Sequence, residues 1–315
     1  MTGHRVGDDV TVQHFDVFPG SPRGGGNPCP VVLDAEGLSA VQMQTIAAHY
    51  GQESGFVVGA DAGGVRLRYF VPQHEMRMCV HATVAIIAGL VAEGGLDGGA
   101  IVVHTASGDC PVTWTEHAPT RVTVEQQAPR LEDPGNVGSE VAYTLGLPHN
   151  ALSDALPIRS VSVSRAKLIV PLRQASDVYQ ADPRLVQLWD LCRRLNTTGA
   201  YLFAPHPDGR PDHVVARQFP VAAGYPEDPA TGVAAGALAA YLADRNRPSP
   251  PCWVNVEIDQ GDTMGRPSTL HASAFADAVG VHRSTVTGHA THRSTERLDL
   301  AAVVNQHPDI TTDLC

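Results

Sequence analysis

The sequence carries little charge and almost no lysine. Charged residues make up 17% of the 315 positions, and Lys167 is the single lysine. Soluble domains usually contain about 25% charged residues. The formal net charge is −11. Because nucleic-acid binding needs clustered Lys and Arg to neutralise phosphates, this composition argues against a nucleic-acid partner.

Long apolar runs and paired cysteines are also lacking. No uninterrupted apolar run in the sequence approaches the ~20 residues that a membrane-spanning helix needs, and no signal-like apolar stretch follows the first residues. The six cysteines are scattered without a CxxC pair, which predicts reduced thiols rather than a disulfide framework. We therefore expect a cytoplasmic protein that makes no membrane contact.

Hydrophobic residues are plentiful, and part of their pattern occurs twice in the sequence. They make up 43% of a chain whose length, at ~150 residues per domain, predicts two domains. Residues 81–93 and 231–243 are apolar on all faces, which predicts two buried helices. The similar strings RYFVP (68–72) and RQFP (217–220) precede them. We expect an α+β protein of two similar domains, 1–132 and 133–315, each a mixed sheet around a central apolar helix.

Polar groups precede both apolar helices. Residues 75–83 are EMRMCVHAT and residues 227–233 are EDPATGV. The free N–H groups at a helix start bind carboxylates or phosphates, so both segments are candidates for holding an anionic substrate in a cleft between the domains. The alternative is that Asp228 and Thr231 only cap the second helix.

A third segment, GQESGFV at 51–57, places a glutamate between a predicted helix and an apolar strand. The helix is predicted over residues 40–50, with Ser39 as its N-cap. Partial desolvation of Glu53 would raise its carboxyl pKa toward the range that is useful for proton transfer. The alternative is an exposed loop glutamate with no chemical role.

Six strings follow one another in an order that is typical of one family. They are FDVF with GNP and VVL (15–18, 26–28, 31–33), QESGF (52–56), RYFVP (68–72), CVHAT (79–83), EDPATG (227–232) and QGDTMGRPS (260–268). Together they resemble the phenazine-biosynthesis PhzF-like family from about residue 12 to about residue 273.

This resemblance implies a diaminopimelate-epimerase-like fold and, usually, a homodimer. It also implies an isomerase that needs no cofactor or metal. Such an enzyme moves a proton, and with it a double bond, within a small unsaturated amino or carboxylic acid. The family's usual setting is the biosynthesis of secondary metabolites, including antibiotics.

The resemblance also implies roles for particular residues. The family's glutamate falls on Glu53, which would take a proton from carbon and return it elsewhere in a conjugated system. Its histidine falls on His81 and its aspartate on Asp228, which would hold or protonate the substrate. Cys79 is a further candidate acid or base. Substrate binding is expected at Asn27, Ala82, Thr83, Thr231, Gly232 and Val233.

The sequence departs from the family's usual pattern in three places. Val80 stands where a glycine is common, Val233 where a serine is common, and Ser54–Gly55 where Thr-Ala is common. A β-branched side chain narrows the approach to the backbone, and the valine at 233 removes a hydroxyl donor. We therefore expect a substrate that is more apolar than is usual for the family.

Two other functions compete with this hypothesis. Racemases of this fold use two cysteines, one before each central helix; Cys79 matches the first position, but the second falls near Ala234, and the nearest cysteine on that side is Cys252. A variant that pairs Cys79 with Glu53 stays open. The other alternative is a small-ligand-binding protein that has kept the scaffold without catalysis.

A catalytic metal is not expected from the histidines. There are fifteen, but His282, His289 and His292 are irregularly spaced, and the Cys79-x-His81 pair has no second pair nearby in the sequence. Zinc ligation needs a defined third and fourth ligand.

Overall fold

The chain folds as two units of mixed sheet and helix. The computed structural model describes residues 9–20, 24–61, 63–115 and 117–307. Of these, residues 9–18, 27–124 and 288–307 belong to the first unit, and the remainder, chiefly 125–287, to the second. This division differs from the sequence-based one in three places: the described residues of 19–26 and residues 125–132 lie with the second unit, and residues 288–307 lie with the first.

The first unit is a mixed sheet with the order β1-β2-β3-β4-β6-β7-β8, and β5 pairs with β4. The first helix packs on one side of this sheet, where Met43 and Ile46 meet Phe56 and Phe70 in an apolar cluster. The strands are β1 (Asp9–Val17), β2 (Asn27–Val32), β3 (Ser54–Asp61), β4 (Gly64–Phe70), β5 (Glu75–Met76), β6 (Ala100–Thr105), β7 (Gly108–Trp114) and β8 (Arg121–Glu125).

This first helix, α1 (Ala40–Tyr50), begins and ends at strong local signals. The Ser39 hydroxyl accepts from the Gln42 N–H at 3.2 Å, and the Gln42 side chain accepts from the Ser39 N–H at 2.8 Å, a capping box. Gly51 ends the helix in the left-handed region at φ 64°. The predicted helix and its N-cap are confirmed. The turn at Gly51 ends the helix two residues before Glu53.

Replacing Ser39 by Ala is expected to lower the free energy of unfolding by about 1 kcal/mol, because the Gln42 N–H loses its partner. Urea unfolding followed by circular dichroism measures this change. Ser139→Ala is the matched control, since that exposed serine lies in the first turn of a helix without a side-chain cap bond. It should change stability by less than about 0.5 kcal/mol. Equal effects of the two substitutions would show that the capping box does not stabilise α1.

The central helix of the first unit is α2 (Val80–Ala92), whose residues 80–89 are all buried. It packs against β1, β2 and β3, as an all-round apolar helix must. Strand β3 approaches it closely at Gly55, where an added Cβ would lie 2.8 Å from Ile86 Cδ1 and 3.0 Å from the Ala82 Cβ. The absence of a side chain at position 55 therefore brings the start of β3, and Glu53 before it, against the first turns of α2.

The second unit repeats this plan, with the strand order β15-β14-β13-β12-β11-β10-β9. Its central helix α6 contacts β10, β11, β14 and β15, while α3, α4 and α5 contribute to a separate apolar cluster with β11, β12 and β13. The elements are β9 (Arg130–Glu132), α3 (Gly138–Thr144), β10 (Arg159–Ser162), β11 (Ala166–Pro171), α4 (Ala175–Gln180), α5 (Leu185–Arg194), β12 (Gly199–Pro205), β13 (His213–Pro220), α6 (Gly232–Asn246), β14 (Cys252–Gln260) and β15 (Ser268–Ala276).

The final strand, β16 (Val281–Asp299), is divided between the two units. Its residues 281–287 pair with β15, and its residues 290–299 pair with β1. The sequence also predicts a helix near residues 295–305. In the structure this helix begins only at Leu300, as α7 (Leu300–Gln306), where the Asp299 side chain accepts from the Ala302 N–H. Pairing with β1 keeps residues 295–299 extended, and this is why residues 288–307 lie with the first unit.

Strand pairing confirms the internal repeat. From β1 to β7 the pairings run antiparallel, parallel, antiparallel, parallel and antiparallel, and the sequence from β10 to β15 is the same. The buried helix enters at the same point of each unit, after β4 with its partner β5 and after β13. Among the helices in the described ranges, none is long and apolar enough to cross a membrane.

Candidate active site

Three predicted residues of the first unit meet in one group, the acid–base cluster: Glu53, Cys79 and His81. The Cys79 Sγ lies 3.1 Å from Glu53 Oε2 and 3.2 Å from His81 Nδ1. The His81 Nδ1 lies 3.4 Å from the same Glu53 oxygen. The His81 side chain is 3% exposed and that of Glu53 is 14% exposed. A carboxylate, a thiol and an imidazole therefore touch one another in a nearly buried place.

Local structure explains how these side chains come together. Glu53 lies between the left-handed Gly51, which ends α1, and the start of β3. Cys79 is the N-cap residue of α2, with extended backbone, and His81 is the second helical residue. The Cys79 side chain makes no cap bond to the first turn of this helix. The alternative of an exposed loop glutamate is wrong, because Glu53 is mostly buried against the start of a helix.

The electrostatics of the cluster favour neutral partners around the glutamate. Burial raises the pKa of the Cys79 thiol well above its usual value, and the neighbouring Glu53 charge raises it further. Burial lowers the pKa of His81, while Glu53 opposes that change. Near pH 7 the cluster therefore holds a thiol, which donates to Glu53, and an uncharged imidazole.

Alkylation should distinguish Cys79 from Cys252. Cys79 is buried with a raised pKa and Cys252 is exposed. The thiolate is the reactive form, and each unit of pKa changes its fraction about tenfold, so we expect iodoacetamide at pH 8 to modify Cys79 at least about tenfold more slowly than Cys252. Peptide mapping by mass spectrometry measures both rates, and in denaturant they should converge. Equal rates in the native protein would contradict the burial of this thiol.

Three residues of the first unit were predicted to bind substrate: Asn27, Ala82 and Thr83. Ala82 is fully buried, and Asn27 is buried at the start of β2. The Thr83 hydroxyl lies 2.8 Å from the hydroxyl of Tyr69 and donates to the Cys79 carbonyl at 2.8 Å. These bonds hold the helix start that carries Cys79 and His81. The sequence interpretation missed Tyr69, although it lies within the RYFVP string.

A second group, the carboxylate–amide cluster, lies in the second unit and consists of Asp228, Thr231, Gln260 and Tyr201. The Thr231 hydroxyl donates to Asp228 Oδ2 at 2.5 Å. The Gln260 side-chain N–H donates to the Asp228 carbonyl at 2.6 Å, and its Oε1 accepts from the Tyr201 hydroxyl at 3.0 Å. Burial raises the pKa of Tyr201, and Asp228 adds to this effect, so the phenol stays protonated.

The contacts of this second cluster bear on the capping alternative. Thr231 is the N-cap residue of α6, but its side chain makes no cap bond, and its N–H donates to Gln260 Oε1 at 3.3 Å. Capping by the threonine side chain is therefore wrong. Gly232 and Val233 open the helix and are both buried. No role was predicted for Gln260 within the QGDTMGRPS string, because its partners lie about 30 residues or more away in the sequence.

Two groups of side chains could hold a metal ion within the described ranges. One is the acid–base cluster, and the other is His206, His213 and Asp259 in the second unit. In each group, three ligand atoms lie within 4.8 Å of one another.

The sequence of this chain is similar to those of several known proteins. The family model for phenazine biosynthesis-like proteins (PhzC-PhzF) matches residues 15–295. An uncharacterized isomerase, YddE, of Escherichia coli K12 is 31% identical over 89% of this chain and 95% of its own length. Trans-2,3-dihydro-3-hydroxyanthranilate isomerase of Pseudomonas aeruginosa is 30% identical over 87% of this chain and 94% of its own.

The fold of this chain is also similar to those of several solved structures. A Bacillus anthracis phenazine biosynthesis protein of the PhzF family superposes with a TM-score of 0.81 and 26% identity, over 92% of this chain and 99% of the other. A hydroxyproline epimerase of Agrobacterium vitis superposes with a TM-score of 0.63 at 12% identity, over 92% and 93%, a likeness of fold alone. The fold is the α+β, diaminopimelate-epimerase-like one, with two similar domains. The chain is an isomerase that belongs to the phenazine biosynthesis-like family.

Proposed function

We propose that this isomerase moves a proton, and with it a double bond, within a small unsaturated amino or carboxylic acid. The contact of Glu53 Oε2 with Cys79 Sγ at 3.1 Å and with His81 Nδ1 at 3.4 Å carries this proposal. It supplies a mostly buried carboxylate that accepts a hydrogen bond from the Cys79 thiol and lies beside the His81 imidazole. General acid–base catalysis needs such a group, held in place and able to gain and lose a proton.

In the proposed reaction Glu53 is first the base and then the acid. Its carboxylate takes a proton from a carbon beside the conjugated system, and the C–H electron pair moves into that system. The same carboxyl then returns the proton to a different carbon, so that no redox partner or cofactor is needed. The Cys79 thiol and the His81 imidazole hold the carboxylate, and either can assist protonation.

The carboxylate–amide cluster and the two helix starts are proposed to bind the substrate. Asp228 would accept from an amino or hydroxyl group, and the helix start at Ala82 or the one at Gly232 would bind a carboxylate. The bulk of Val80 and Val233, both buried, favours a substrate with an apolar body. A homodimer that acts in secondary-metabolite biosynthesis is part of the proposal, and light scattering should return twice the mass of one chain.

Incubation of candidate acids in deuterated water tests the reaction. The panel includes trans-2,3-dihydro-3-hydroxyanthranilate, which the name of the Pseudomonas aeruginosa relative indicates as its substrate, and analogues that carry alkyl groups. Nuclear magnetic resonance identifies the carbon that gains deuterium. Deuterium at a carbon that was unsaturated in the substrate, with a shifted double bond, supports the proposal.

Two other results would contradict the proposed reaction. Exchange at the α-carbon with inversion would indicate a racemase, and loss of that exchange in Cys79→Ser would assign it to the thiol. The residue near the second thiol position of racemases is Ala234, buried in α6. Saturable binding of an acid without any exchange would indicate a binding protein.

A further inference from the structure

We propose that the acid–base cluster is also a reversible, inhibitory binding site for a thiophilic divalent cation, with Zn²⁺ as the best-fitting ion. The ligand atoms would be Cys79 Sγ, His81 Nδ1 and Glu53 Oε2. Binding itself is independent of the proposed function. Only the inhibition rests on it, because an ion on Glu53 would occupy the oxygen that is proposed to take the proton.

The spacing of the three atoms fits such an ion. They form a triangle with sides of 3.1, 3.2 and 3.4 Å. A tetrahedral Zn²⁺, with bonds of about 2.0–2.2 Å to nitrogen and oxygen and about 2.3 Å to sulfur, separates its ligand atoms by about 3.3–3.6 Å. The nitrogen–oxygen side already fits. The sulfur needs to move by a few tenths of an ångström, and the His81 ring needs to turn, because the sulfur lies beside the ring, 3.9 Å from Nε2, and not along the Nδ1 lone pair.

Glu53 is the most exposed of the three ligands. The His81 side chain is 3% exposed, whereas that of Glu53 is 14% exposed, so an ion would enter past the carboxylate. Three protein ligands leave a fourth position for water, as in catalytic zinc sites. The expected site is therefore open at one coordination position, unlike a closed structural zinc site, and a chelator can reach the ion there.

The chemistry of the ligands determines which ions fit. A thiolate and an imidazole favour Zn²⁺, Co²⁺ and Cd²⁺, whereas Mg²⁺ and Ca²⁺ prefer oxygen ligands alone. On binding, the Cys79 S–H bond breaks, a metal–sulfur bond forms and the proton passes to solvent. No electron is transferred, so the step needs no oxidant or reductant.

The other group of metal-binding atoms is less suited to one ion. His213 Nε2 and His206 Nε2 lie 3.1 and 3.7 Å from Asp259 Oδ2. Their rings are stacked with centroids 3.8 Å apart and only 21° between the planes. A histidine binds metal through a lone pair in the ring plane, so two nearly parallel rings do not point at the same ion. Arg210, whose guanidinium lies 2.5 Å from His213 Nδ1, adds a positive charge.

Cobalt binding tests the proposal without an activity assay. The reference chain carries Cys252→Ser, Cys315→Ser and His206→Gln, which removes an exposed thiol, the last cysteine and a ligand of the other group. Titration with Co²⁺ should produce a saturable thiolate-to-cobalt charge-transfer absorption at one ion per chain, with release of a proton. Cys79→Ser should abolish the band. Glu53→Gln should weaken Co²⁺ binding at least about 10–100-fold. Replacing a residue that only hydrogen-bonds to a metal ligand already has an effect of that size, and Glu53 is proposed as a ligand itself.

Three outcomes would overturn the site. They are the absence of the charge-transfer band in the reference chain, a band that survives Cys79→Ser, and displacement of Co²⁺ by an equal concentration of Mg²⁺. Inhibition is measured separately, by adding Zn²⁺ to the exchange assay and removing it with a chelator. A cobalt band without exchange of any acid would support the metal site and contradict the proposed function. Exchange that Zn²⁺ leaves unchanged, in a chain that shows the band, would overturn the inhibitory role.

Discussion

Replacing Glu53 by Gln is expected to slow substrate proton exchange by about 10²–10⁴-fold, the usual contribution of one general acid or base. Glutamine keeps the size of the side chain and an oxygen near the Cys79 thiol, but it cannot take a proton from carbon. The side chain is near the surface end of the cluster, at 14% exposure, so the fold should persist. Deuterium incorporation by nuclear magnetic resonance, together with circular dichroism of the folded protein, measures the effect.

Glu36→Gln is the matched control, because it removes an exposed carboxylate from the same unit. It should leave the exchange rate unchanged. Cys79→Ser and His81→Asn should each cost less than Glu53→Gln, since these residues assist the carboxylate in the proposed reaction. Exchange that survives Glu53→Gln but disappears in Cys79→Ser would transfer the role of base to the thiol.

Replacing Arg217 by Met is expected to lower the free energy of unfolding by about 3–5 kcal/mol, the usual cost of breaking a buried ion pair. The guanidinium makes two bonds to Glu227, of 2.8 and 2.7 Å, and donates to the carbonyls of Val178 and Ala181. The two charged side chains are only 10% and 12% exposed. Methionine fills much of the volume, but it removes both guanidinium bonds from Glu227, which keeps the bond from the Thr263 hydroxyl. It also takes the donor from the carbonyls of Val178 and Ala181. Urea unfolding followed by circular dichroism measures the loss.

The internal repeat supplies the control for this prediction. Arg68 and Glu75 make the same two-bond pair in the first unit, both at 2.7 Å, and Arg68 lies over Phe70. Their side chains are 31% and 38% exposed, so water replaces most of the lost interaction. Arg68→Met should therefore cost only about 0–1 kcal/mol. Equal losses from the two substitutions would show that burial does not set the contribution of the pair.

Local patterns were sufficient for much of the fold. Ser39 and Gln42 form a capping box with each other, so two residues only three positions apart determine where α1 begins. The apolar stretches that became α2 and α6 are buried on all sides because no face of either helix can be left in water. The position of Glu53, directly between α1 and β3, also follows from local order along the chain.

Contacts between distant residues were beyond the reach of the sequence. The Cys79–Glu53 contact joins positions 26 apart, and the bond from Gln260 to Asp228 joins positions 32 apart. Both depend on where separate elements pack. Likewise, the Thr- and His-rich segment before α7 has no alternating apolar pattern, and it becomes strand because β1 and β15 supply hydrogen-bonding partners.

Periodicity and composition, which act over a few neighbouring residues, were enough to predict the duplicated α+β plan and the two buried helices. The candidate site residues were identified through the resemblance to the family. Only the tertiary structure decided that Glu53, Cys79 and His81 touch, and that Thr231 donates to Asp228 instead of capping its helix. The physical reason is burial: a side chain out of water must find its partners wherever packing places them.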